Sequence, residues 1–256
     1  MLIAGAVCPH PPLLIPAALG AAASDPPAEV RKVSEAATQA VERLIAARPD
    51  LIAVVGGGPV DREYGPAAAG GLHDYGVDVT VGTGEPVLPL SLTIGRWLLE
   101  CAGVLEPAGV AAGGAGAGSE PVAVLFQAVA QRASPGDCLK LGMVLAERAP
   151  RVALLAMGDS CARPAREAPG VPDLPAQEYD EDVAEALAAA DARWLARLDP
   201  ARDNELVVAG RAAWQVLAGA AGGRTRGNRL QGRLLCMSAP YGVTYLVASW
   251  EESRTD

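Results

Sequence analysis

The chain is short of the residues from which most recognisable sites are built. Its histidines are His10 and His73, its lysines Lys32 and Lys140, and it has a single phenylalanine. A formal charge of −9 with so little lysine excludes a phosphate backbone as partner, because such binding rests on clustered basic side chains. Five cysteines (Cys8, Cys101, Cys138, Cys161, Cys236) form an odd set without a C-x-x-C pair. That pattern fits neither a disulfide framework nor a structural zinc site, so reduced thiols are expected. Long apolar runs are also missing. The longest, at 152–157 and 51–55, are strand-sized and far below the ~20 residues of a membrane span. No basic region precedes the apolar residues 2–7, which are too few for a secretory core, and Cys8 after Val7 makes a poor lipoprotein cleavage site. A cytoplasmic protein with no membrane association is the expectation.

What is present is half hydrophobic and alternates in a regular way. Residues 2–7 form a short apolar run closed by Pro9, His10, Pro11 and Pro12, which reads as a buried strand stopped by residues that cannot continue a ladder. Val30, Val33, Ala37, Val41, Leu44 and Ile45 then recur at helical spacing among charged residues. After Pro49, the run 51–55 leads as a strand into Gly56, Gly57 and Gly58. Further strands are expected at 77–81, 122–126, 152–157, 234–236 and 243–249, and helices at 90–101, 139–148, 180–190 and 203–217. The glycine-rich stretch 108–118 is the nearest thing to a boundary, but the same alternation resumes beyond it. The pattern predicts one α/β domain spanning 1–256, with a central, mostly parallel sheet flanked by helices. In such a sheet a cleft is expected at the carboxyl ends of the strands.

Five segments, in order along nearly the whole chain, carry a resemblance. They are Cys8-Pro9-His10-Pro11-Pro12; Pro49-Asp50-Leu51 through Gly58; Met157-Gly158-Asp159-Ser160-Cys161 with Glu178-Tyr179-Asp180; Ala209-Gly210-Arg211 with the later Gly219; and Ala239-Pro240-Tyr241-Gly242-Val243-Thr244-Tyr245. Together they resemble the catalytic-subunit-like superfamily of class III extradiol ring-cleavage dioxygenases, especially its Memo-like and stand-alone bacterial branch. The resemblance implies an Fe(II) held by two histidines and a carboxylate, with open positions for a catecholate and dioxygen, and a further histidine as acid/base. Three histidines are needed and two are present. Matched position by position, His10 falls on the first ligand, Gly58 on the second, Val208 on the carboxylate, and Ala162 or, with a one-residue gap, Cys161 on the acid/base. One imidazole alone does not hold Fe(II) with useful affinity. The resemblance, with the strand-end rule, also implies a cleft where strand ends bring His10, Gly58, Asp159 and Cys161 together.

These substitutions imply a degenerate extradiol dioxygenase-like protein, with no resident cofactor, that binds a small molecule or another partner. The alternative is an oxidoreductase with a rearranged Fe(II) or other divalent-metal site around His10, completed by Cys8, Cys161, His73 or Glu205. Glu205 precedes Val208 by about one helical turn and would share its helix face. Its other reading is an exposed acid near a helix N-terminus. His10 reads equally as a hydrogen-bonded strand-end histidine, His73 as a solvated loop residue, and Asp61 and Glu63 as surface charges. Cys161 is either a nucleophile of depressed pKa, working with His10 and Asp159, or a small buried thiol. Arg163, Arg166 and Arg211 border the implied cleft and would suit an anionic ligand, with Tyr241, Tyr245 and Trp214 as aromatic lining or core. Gly56 to Gly58 do not make a nucleotide loop, because no Lys-Ser/Thr follows and Pro59 lacks the donor such a loop needs. Self-association is expected from the resemblance and permitted by the high apolar content.

Overall fold

The structure, a computed structural model, describes residues 1–107, 122–162, 174–222 and 230–253. The glycine-rich stretch 108–118 lies outside the described residues, as do Arg163 and Arg166. In chain order the elements are β1 (Leu2–Cys8), α1 (Ala28–Ala46), β2 (Leu51–Gly58), the short β3 (Arg62–Tyr64), β4 (Ala69–Gly71), β5 (Thr80–Val81) and β6 (Pro86–Leu88), then α2 (Leu90–Cys101) and β7 (Ala123–Ala130). They continue with α3 (Pro135–Ala146), β8 (Val152–Met157), α4 (Leu174–Ala188), α5 (Ala192–Leu195), α6 (Pro200–Leu206), α7 (Arg211–Gly222), β9 (Leu230–Ser238) and β10 (Tyr245–Glu252).

Seven strands form one sheet in the order β3-β7-β2-β8-β1-β10-β9. Its centre, β7-β2-β8-β1, is parallel, while β3, β10 and β9 join antiparallel at the flanks. The uninterrupted apolar character of β1 and β8 follows from this place: every residue of both strands is buried, because strands lie on either side and helices cover both faces. Side chains alternate between two cores. Leu2, Val7, Ala53, Val55, Leu154 and Ala156 pack with α3, α4 and α7, whereas Ile3, Cys8, Ile52, Val54, Leu155 and Met157 pack with α1 and α2. β4, β5 and β6 make a separate three-stranded sheet beside α2. Arg96 on α2 is buried there, held by Glu100 at 2.8 Å and by the carbonyls of Pro66 (2.5 Å) and Ala68 (3.1 Å).

Local sequence explains several boundaries. Ser134 caps α3, its Oγ accepting from Asp137 N at 3.2 Å with Pro135 in the first turn, and Asp199 caps α6 by accepting from Ala201 N at 3.0 Å. α3 and α7 cross with their backbones touching. A Cβ on Gly142 would lie 2.0 Å from Val216 O, and one on Gly219 would lie 2.2 Å from Leu139 O. Gly219, one of the residues behind the resemblance, is therefore set by helix packing.

Two sequence-based expectations change. The strand expected at 77–81 is reduced to Thr80–Val81, on the small sheet. The helix expected over 203–217 is two helices, because Val207 adopts a left-handed conformation (φ 55°, ψ 50°) that ends α6 before α7 begins at Arg211. Val208 N bonds Asp203 O at 2.9 Å, closing the end of α6, and Ala162 N reaches Val207 O at 3.4 Å from a distant part of the chain.

Candidate functional site at the carboxyl edge of the sheet

β1, β2 and β8 are parallel, so their carboxyl ends share one edge, and the residues just beyond them meet there. Gly158 N bonds Cys8 O at 2.9 Å, which sets the β8 exit against the β1 exit. Two residues past β1, His10 N donates to Asp159 Oδ1 at 2.7 Å, and the ring nitrogen Nδ1 lies 3.4 Å from the same oxygen. The second approach is a close contact outside hydrogen-bond geometry, since Nδ1 is buried without a hydrogen-bond partner. The side chains are 13% and 16% exposed, so both are largely buried yet reach the surface. With Nδ1 inside, the exposed ring edge is the one that carries Nε2. A carboxylate beside Nδ1 favours the tautomer with its proton on that nitrogen and leaves Nε2 as an acceptor.

Asp159 is fixed along its backbone. Its carbonyl accepts from Ala209 N (3.1 Å) and Gly210 N (2.9 Å), while the next residue, Ser160, donates its N–H to Thr244 O at 2.9 Å. Gly158 and Gly210 are pressed together, a Cβ on Gly158 falling 2.3 Å from Gly210 Cα. Tyr245, at the start of β10, is a buried residue whose phenol is pushed up to about 12, first by burial and then by the electrostatic influence of Asp159 and Tyr241. Tyr241 is 70% exposed with φ 62°, an unusual conformation for a residue with a side chain. The site thus offers an imidazole, a carboxylate and a buried phenol, with an exposed aromatic ring nearby.

Other sequence candidates fall elsewhere. Gly58 ends the adjacent β2, but its missing side chain points at Ala128 Cβ, 2.8 Å from an added Cβ, so that position is filled. Cys161 is fully buried beneath α4, its Sγ donating to Ala176 O at 3.6 Å. Glu205 is exposed and 3.5 Å from Arg202; the break at Val207 separates it from the helix of which Val208 was expected to be part. His73 is exposed, 3.1 Å from Asp78. Asp61 accepts from Ala130 N at 2.7 Å, and Glu63 pairs with Arg148 at 2.6 Å. Among the described residues no three His, Cys, Asp or Glu side chains form a metal-holding group.

Arg211 is 3% exposed, and its donors are committed inside the protein: Nη1 to Ala133 O (3.0 Å) and Gln215 Oε1 (2.8 Å), Nη2 to Gln131 O, and Nε 3.0 Å from Asp203 Oδ2. Asp203, not singled out from the sequence, also accepts from Tyr179 Oη at 2.6 Å. The Arg211 contact is ionic and bent out of hydrogen-bond alignment. Burial raises the Asp203 carboxyl from 3.8 to about 6, against the opposing pull of the Tyr179 hydrogen bond and the Arg211 charge. A cavity of about 150 Å³ adjoins this network, lined in part by Gln131, Asn204, Val208 and Ala209.

No protein-family model matches the chain, and no curated protein does. Among solved structures it is similar to the uncharacterized protein JW3007 from Escherichia coli K12, with 15% identity over 97% of this chain and 99% of that one, and a TM-score of 0.50. What they share is the fold. Asp203 carried no local signal beyond its residue type, whereas Tyr245 stood among the candidate aromatic residues. The signal that was available was position: Asp159 and His10 each follow a buried strand within two residues, where a parallel sheet exposes its functional edge. No helix among the described residues is long and apolar enough to cross a membrane.

Proposed function

We propose that the protein is an extradiol dioxygenase-like scaffold that binds a small molecule at the carboxyl edge of its sheet, through His10 and Asp159, without the iron that its sequence resemblance implies. The residues present do not fit that iron. His10 has one carboxylate beside it, the place of a second imidazole is Gly58 packed on Ala128, and Val208 brings no donor. A histidine whose inner nitrogen faces a carboxylate is also the arrangement found behind metal-bound histidines, so the pair retains the supporting half of such a site. Freed from a metal, the same arrangement presents Nε2 as an oriented hydrogen-bond acceptor to a ligand.

The observation that carries this reading is the His10–Asp159 pair itself, 2.7 Å through the main-chain nitrogen and 3.4 Å through the ring. Tyr241, exposed in the turn that leads into β10, would supply an aromatic surface for a planar ligand. The test is a ligand screen on metal-stripped protein, read by the imidazole NMR signals of His10, with the exposed His73 as internal control. Binders are expected to move the His10 signals and to lose affinity at least about tenfold, roughly 1.4 kcal/mol, in His10→Ala and Asp159→Asn. Ligands that bind equally well to both variants would contradict the assignment of the site.

A further inference from the structure

We propose that Asp180, on α4, is a positioning residue for this site: its buried carboxylate fixes the turn that aims Asp159 at His10. The proposal rests on reading the His10–Asp159 pair as the ligand-contacting element. Asp180 is fully buried, and among its partners are Ser160 Oγ at 2.5 Å, Thr244 Oγ1 at 2.5 Å and Cys161 N at 3.2 Å. Ser160 and Cys161 directly follow Asp159, and Thr244 directly precedes Tyr245. The two segments are also joined to each other, Ser160 N to Thr244 O at 2.9 Å, Thr244 N to Cys161 O at 3.0 Å, and Ala162 opposite Val243 in an antiparallel bridge.

The chemistry of the clamp explains why an acid stands there. An ionised carboxylate only accepts, with enough lone pairs for several donors, and two hydroxyls and an N–H converge on this one. The two hydroxyl contacts, each 2.5 Å, and the N–H tie both carboxylate oxygens to the segments on either side. Asp180 makes no hydrogen bond to His10 or Asp159 themselves. Its effect passes through one residue on each side: by holding Ser160 it sets the direction in which Asp159 leaves β8, and by holding Thr244 it sets the start of β10, where Tyr245 lies against Asp159. Without the clamp, the Asp159 carboxylate is free to turn away from the ring nitrogen that it orients.

The experiment uses the full chain with ¹⁵N-labelled histidine and no ligand, and compares wild type, Asp180→Ala, Asp180→Asn, Thr244→Val and, as reference for a lost partner, Asp159→Asn. In Asp180→Ala the His10 ring-nitrogen shifts are expected to move more than half-way to those of Asp159→Asn, with His73 unmoved. Asp180→Asn restores them in part, because its amide oxygen still accepts from Ser160 and Cys161. If Asp180→Ala does not fold, Thr244→Val decides, since it removes one hydroxyl and keeps the shape; it is expected to move His10 in the same direction. A folded Asp180→Ala or Thr244→Val protein with wild-type His10 shifts overturns the proposal, whatever its stability. The readout needs no ligand, so this failure is distinct from a failure of the binding assignment, which the ligand screen reports.

Discussion

Asp203 gives the protein a pH dependence that can be worked out from its surroundings. Its carboxyl is raised from 3.8 in the unfolded chain to about 6 in the fold, chiefly by burial, while Arg211 and Tyr179 pull the other way. A raised carboxyl binds its proton more tightly in the folded state, so between these values the fold holds more protons than the unfolded chain. Its contribution is therefore fully present below about 3.8 and is lost as pH rises through about 6. A displacement of roughly two units, at about 1.4 kcal/mol per unit, amounts to about 3 kcal/mol. Asp203→Asn keeps an acceptor for Tyr179 and does not titrate. Urea unfolding of wild type and variant, from about pH 4 to about pH 7, isolates the term, because all other titrating groups are common to both. Most of this falls between those two pH values, so the stability of wild type relative to the variant is expected to drop by about 2.5 kcal/mol over that range. A difference that stays flat, or that grows with pH, would refute the reasoning that burial outweighs the Arg211 ion pair.

Further outcomes follow from packing and exposure. Gly219→Ala places a methyl against the Leu139 backbone and is expected to cost about 1–3 kcal/mol by denaturant unfolding, whereas Gly222→Ala on the same helix, with nothing within 4 Å of the added carbon, costs nothing measurable. Thiol labelling of the native protein is expected to modify Cys101, which is exposed, well before the buried Cys8, Cys138, Cys161 and Cys236. Fast labelling of Cys161 at neutral pH would revive its reading as a nucleophile. Arg211→Ala removes the charge that faces Asp203 inside the protein and is expected to destabilise by about 3–5 kcal/mol in the same unfolding assay, with a loss under about 1 kcal/mol excluding the ion pair as a structural tie.

The sequence was most legible where an element's burial is uniform. Val152–Met157 and Leu90–Cys101 coincide with β8 and α2 as the apolar pattern predicts them, because β8 is buried on both faces and α2 begins directly after Pro89. The antiparallel flanks were harder, since direction within a sheet leaves no trace in composition. The break between α6 and α7 was hidden for a different reason: Val207 is a residue that disfavours a positive φ, and the conformation is imposed by contacts with Ala162 and Asp203, distant or backbone-mediated, that no local pattern encodes. That break also undid the expectation that Glu205 shares a helix face with Val208. At the site, His10 and Asp159 were legible from their places after strands. Asp203 was not, and Asp180 and Arg211, although named among the resembling segments, gave no sign of being buried, because a buried charged residue looks in sequence like any surface charge on an amphipathic helix, and only its partners tell the two apart.

The central claim is that His10 and Asp159 serve a ligand and not an iron. It is tested most directly by titrating Fe(II), Mn(II) and Zn(II) at micromolar concentrations into metal-stripped wild type and His10→Ala, followed by bound-metal analysis and the His10 imidazole signals. The account predicts no stoichiometric uptake by either protein and unmoved His10 signals. One equivalent of metal held by wild type and lost in His10→Ala would contradict it and place a rearranged metal centre at the edge of the sheet.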